Sequence, residues 1–109
     1  MPLHKSLTQE KWSAFTLHEQ MAHIGAEVGR SLNWKRKGDA DHAQRAFERA
    51  LELFDFTLAH PHSLPRLREI ARVREVFCDY VAGDNEYDSD DVSFDRYFYP
   101  FNYAARKDR

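Results

Sequence analysis

Cysteine is almost missing from this chain: Cys78 is the only one. A single thiol forms no intrachain disulfide and no cysteine-based zinc site, so the fold has to rest on its apolar core. A reducing, cytoplasmic setting is the expectation. Turn formers are scarce too. Four glycines and four prolines are too few for an all-β domain, which needs a turn about every 8–12 residues. No apolar run reaches the roughly 18 residues of a membrane span. The opening residues Met1-Pro2-Leu3-His4-Lys5 lack the hydrophobic centre of a signal peptide, so neither membrane nor secretion is expected. An excess of one charge is absent as well. The 16 Lys and Arg stand against 18 Asp and Glu, which excludes a whole-surface field for nucleic acid and leaves only local patches.

What remains is 42% hydrophobic and 31% charged, enough apolar surface to offset the entropy of ordering one domain. Its periodicity is helical. Thr16-Leu17-His18-Glu19 has the form of a capping box, and Leu17, Met21, Ile24, Val28 and Leu32 then recur along one helical stripe. Lys35-Arg36-Lys37-Gly38 closes it with cations at the negative end of the dipole and a glycine cap. Asp39 and Ser63 are candidate caps for two further helices, with Pro65 tolerated in a first turn. The spacing predicts helices over 17–37, 40–59, 64–82 and 90–99, the last ending at Pro100. The expected core is Leu17, Met21, Ile24, Val28, Phe47, Leu51, Phe54, Leu67, Ile70, Val73 and Phe77. Ala43 and Ala50 are expected to face Gly25 or Gly29, where small residues permit a close crossing. The fold predicted is an all-α, up-down helical bundle of three long helices plus a short C-terminal helix and an aromatic tail. One domain spans 1–109, with an arm at 1–15 anchored by Trp12 and Phe15, a bundle at 16–99 and a tail at 100–109.

Trp34, Gly38, Ala43, Phe47 and Ala50 fall at spacings that resemble one tetratricopeptide hairpin. Asp55 stands where that motif has proline, and Glu27 where its first helix has an aromatic residue. With no second copy visible, an αα-hairpin that found the same packing solution is the expected reading of these residues. Arg36-Lys37-Gly38-Asp39-Ala40-Asp41-His42 is similar in spacing to the Arg–His motif of the RNA-cleaving members of the HEPN families of small helical bundles. That resemblance implies an RNA-directed module, with His42 as general acid or base and Arg36 stabilising developing charge. Read from the residues alone, the segment is a cationic helix end followed by an N-cap. A later segment, Arg96 to Asn102, repeats the spacing with an asparagine, which transfers no proton at neutral pH. The chain as a whole resembles small prokaryotic helical proteins.

Other constellations point less far. Glu19, His23 and Glu27 form a row one turn apart, read as a solvated face. Residues 83–95 hold six acids and no base. Asp84, Glu86, Asp88, Asp90 and Asp95 sit at calcium-loop positions, but Ser89 occupies the place of the required glycine. Favourable charge at a helix N-terminus is the simpler account. Neither a resident metal nor a cofactor is expected. Arg66, Arg68, Arg72 and Arg74 form a candidate basic patch for nucleic acid, or else partners for the acidic loop. Phe94, Tyr97, Phe98, Tyr99, Phe101 and Tyr103 place six rings within ten residues, more than a short helix can bury in its own bundle, so an interface is expected there. The function expected is that of a non-enzymatic interaction protein, self-associating or bound to a protein partner. The alternative is the HEPN-like RNA-directed module.

Overall fold

A computed structural model describes residues 7–107; residues 1–6 of the expected arm and 108–109 of the tail lie outside the described residues. The protein is all-α. Five helices follow one another: α1 Gln9–Ser13, α2 Leu17–Arg36, α3 Ala40–Leu58, α4 Leu64–Ala82 and α5 Asp91–Lys107, with no strand among the described residues.

The helix starts are written locally. Thr16 Oγ1 accepts the Glu19 N–H at 3.2 Å while Glu19 Oε1 accepts the Thr16 N–H at 2.9 Å, so two orphan donors are satisfied reciprocally. Asp39 caps α3 by accepting the His42 N–H at 3.0 Å, and Ser63 caps α4 by accepting the Arg66 N–H at 3.3 Å. Between α2 and α3 the chain reverses through Gly38, whose φ of 78° is left-handed and costs glycine little. A second reciprocal pair opens α5: Ser93 N–H donates to Asp90 Oδ1 at 2.8 Å, and Asp90 N–H donates to Ser93 Oγ at 3.2 Å.

Helix α2 is the centre of the packing, lying against both α3 and α5, while α4 and α1 pack on α3. The core joins Met21, Ile24 and Val28 of α2 to Phe47, Ala50, Leu53 and Phe54 of α3, Ile70 and Phe77 of α4, and Phe94 and Phe98 of α5. Of the expected core, Leu17, Leu51, Leu67 and Val73 are only half-buried. Leu17, Leu51 and Val73 pack against the rim of the core rather than within it.

Three expectations change. The arm is anchored by Trp12 as expected, and it is also folded. It contains α1, and Trp12 is 2% exposed within the core. Its indole N–H donates to Thr57 Oγ1 at 2.8 Å, and the Gln20 amide donates to the carbonyls of Trp12 and Phe15 at 3.0 and 3.2 Å. Phe15, the other expected anchor, stays partly exposed with its ring edge-on to Trp12.

The second correction concerns the C-terminal helix, which is long. It runs through Pro100, and the expected tail is its last two turns. Proline removes one N–H, normally donated to the carbonyl four residues back. Here that carbonyl belongs to Arg96, and both Pro100 and Arg96 are exposed, so the lost bond falls on the outer face of the helix and not in the core. Beyond the proline, buried Ala105 and half-buried Phe101 hold the helix to the bundle.

Third, the glycines of α2 do not receive α3. A Cβ on Gly25 would meet Phe98 of α5, and one on Gly29 would meet nothing within 4 Å. Ala43 is buried against α2 elsewhere, its carbonyl accepting the Ser31 hydroxyl at 3.2 Å, and Ala50 is fully buried in the core.

Candidate functional site

The six C-terminal rings divide by their place on α5. Phe94 and Phe98, expected at an interface, are 4% and 3% exposed and belong to the chain's own core. They point at the seam between α2 and α4, where Phe94 meets Phe77 edge-on at 5.8 Å. Four residues apart, the two rings fall on the one stripe of α5 that faces the bundle, which is why they are consumed internally. Tyr97 and Phe101 are half-buried and flank that stripe. Tyr97 packs on Phe98 and Phe101, and its hydroxyl donates to Glu69 of α4 at 2.8 Å. Burial, reinforced by that bond to a carboxylate, pushes the Tyr97 hydroxyl pKa up. Tyr99 and Tyr103 remain outside, 61% and 55% exposed. They lie one turn apart and share the outer face with exposed Val92, Asp95, Arg96 and Arg106.

Beside this face runs a groove between α2 and α5. One hollow of about 250 Å³ is lined by Gly25, Val28, Gly29, Phe94, Asp95, Phe98, Tyr99 and Asn102. A second, of about 370 Å³, continues it past Ala22, Gly25, Ala26, Asn102, Ala105 and Arg106. The α2 wall is low because it is made of glycine and alanine. The α5 wall is high and carries an acid at one end and a base at the other.

The N-terminal end of α5 is tied down by charge. Asp91 accepts the Arg36 guanidinium on one oxygen and the Tyr80 hydroxyl, at 2.7 Å, on the other. The bond to Asp91 pushes the Tyr80 pKa up to about 12, because the carboxylate favours the protonated phenol. The Lys35 ammonium lies over the Tyr80 ring at 5.2 Å. The ends of α2 and α4 are thereby fastened to the start of α5.

This tie also places the Arg36–His42 pair. Arg36 engages Asp91 and Asn33, whereas the His42 ring contacts Asp39 Oδ2 at 2.7 Å and stacks on Trp34 at 4.5 Å. The two side chains serve different neighbours. Asp39, accepting the His42 backbone N–H, is held below the usual carboxylate range. Trp34, with His42 on its ring and the Lys37 ammonium 5.2 Å from it, makes the α2–α3 turn a packed corner.

The candidate basic patch is largely paired within the chain. Arg66 bonds Glu69 at 3.0 Å, Arg74 bonds Asp55 of α3 at 3.0 Å, and Arg72 lies 5.8 Å from the ring of Tyr87. Arg68 is exposed. Helix α4 therefore meets the acidic loop through the Arg72–Tyr87 contact and through Asp79. Asp79 of α4 accepts the N–H groups of Glu86 and Tyr87 at 2.9 and 3.1 Å, and within the loop Asn85 bonds Ser89 in both directions at 2.8 and 3.1 Å. Among the described residues, no group of three or more His, Cys, Asp or Glu is placed to hold a metal ion. The His60 ring contacts Ser13 Oγ at 3.2 Å, tying the α3–α4 loop to the arm, and His62 Nε2 donates to the Thr57 carbonyl at 2.8 Å, tying it back to α3.

Sequence reasoning missed Asp95 and Arg106 as features of one surface. Their spacing of eleven residues, three helical turns, carried the signal, but a helix ending at Pro100 separates them. Comparison of the chain with protein-family models, curated proteins and solved structures finds no match. No described helix is long and apolar enough to cross a membrane.

Proposed function

We propose that the protein is a non-enzymatic interaction module, an up-down bundle whose α5 mediates self-association. The observation that carries this reading is the exposure of Tyr99 and Tyr103, at 61% and 55%, on a helix whose other rings are already placed. Tyrosine is enriched at interfaces because its ring supplies apolar area while its hydroxyl stays hydrated. The adjacent glycine- and alanine-lined groove offers those rings a low wall to pack on. A twofold assembly lets one patch serve both copies. The half-buried Cys78, whose thiol pKa is raised by burial, fits a protein kept in a reducing, cytoplasmic compartment.

Sedimentation equilibrium at micromolar concentration tests the reading. The expected mass is twice the 12.9 kDa of the chain. The double substitution Tyr99→Ser with Tyr103→Ser is expected to give monomer with unchanged helicity. A wild-type mass of one chain refutes self-association.

A further inference from the structure

We infer that the partner of α5 is α5 of a second copy, lying antiparallel about a twofold axis between Tyr99 and Asn102, with Asp95 of each copy paired to Arg106 of the other. This rests on the reading that the chain self-associates through α5, and adds its register and charge pairing.

The inference begins with two charges on one flank. Asp95 is exposed and pairs with no cation among the described residues. Arg106 is exposed, and its only bond among them is a long one, 3.4 Å, to the carbonyl of Asn102 in its own helix. Both line the same groove, on the side of α5 that faces α2. Eleven residues are close to three full turns, so the two charges stand on one flank about 16 Å apart along the axis.

A twofold axis perpendicular to two antiparallel helices keeps each flank on its own side and reverses the chain direction. A residue on the α2 flank therefore meets the mirror position on the α2 flank of the other copy. Superposing position 95 on 106 also superposes 99 on 102. Asp95 then faces Arg106 twice, and each Tyr99 ring enters the groove beside the other copy's Asn102. An acid four residues before Tyr99 and a base three residues after Tyr103, on one flank, make this face complementary to itself. An unrelated partner would have no need of that symmetry.

Charge reversal tests the pairing. Both positions are exposed, so the single variants Asp95→Arg and Arg106→Asp are expected to keep wild-type circular dichroism. Each homodimer then sets like charges opposite each other twice, and dissociation constants are expected to rise about tenfold or more. Mixing the two variants restores both pairs in the heterodimer, since Arg at 95 meets Asp at 106 and Asp at 95 meets Arg at 106. The mixture is expected to dimerise within about threefold of wild type, in sedimentation equilibrium at low salt. Single variants that dimerise like wild type, or a mixture as weak as either alone, overturn the pairing while self-association stands. A monomeric wild type overturns both.

Discussion

Phe98 lies directly against the bare backbone of Gly25: a Cβ added to the glycine would fall 2.8 Å from Phe98 Cγ and 2.9 Å from its Cβ. These are the root atoms of a side chain only 3% exposed, so nothing at the end of a flexible chain can swing away. The contact sets how closely α5 approaches α2. Gly25→Ala is expected to overpack this seam by about 1–3 kcal/mol, more than the roughly 1 kcal/mol that alanine returns in helix propensity. Gly29→Ala, with nothing within 4 Å of the new methyl, should instead gain up to about 1 kcal/mol. Urea midpoints of the two variants, compared at one protein concentration, check this: they should move in opposite directions from wild type.

The Trp12–Thr57 bond joins the arm to α3 across 45 residues of sequence, and Thr57 is fully buried. Trp12→Ala removes the largest ring of the arm from the core and is expected to cost about 3–5 kcal/mol. Thr57→Val keeps the shape and leaves the buried indole N–H without its acceptor, an expected loss of about 1–3 kcal/mol. Chemical denaturation of both variants measures the losses. If Thr57→Val unfolds at the wild-type midpoint, the bond contributes nothing to stability.

Alkaline pH should loosen the attachment of α5. Tyr80 and Tyr97 both bond carboxylates, and both hydroxyls hold their protons more tightly in the folded chain, Tyr80 up to about pH 12. In the unfolded chain a tyrosine ionises near pH 10. The folded state therefore binds more protons across that interval, so stability falls as pH rises. The contribution is fully present below about pH 10 and is lost on the way to about pH 12. Denaturation midpoints from about pH 8 upward should fall more steeply for wild type than for Tyr80→Phe with Tyr97→Phe, in which those protons are gone. Equal slopes would show that neither hydroxyl is coupled to folding.

The starts of α2, α3 and α4 and the two turns between them are legible in the residues because their causes are local, whereas the start of α1 at Thr8 is not read there. A capping hydroxyl or carboxylate acts on an N–H three residues away, as Thr16 does for Glu19 and Ser63 for Arg66. A stripe such as Met21, Ile24 and Val28 declares its face by spacing alone. Pro100 was a local signal too, and it misled. Its cost falls on one exposed turn, whereas half-buried Phe101 and buried Ala105 hold the following residues to the bundle. The same limit hid the division of the rings. Phe98 and Tyr99 are neighbours of similar character, yet one is 3% and the other 61% exposed. Composition counts six aromatics near the C-terminus. Which of them turn inward depends on the direction of a helix that only its contacts with α2 and α4 hold in place. Periodicity and capping are properties of a few adjacent residues; burial is a property of surfaces that meet only when the whole chain has folded.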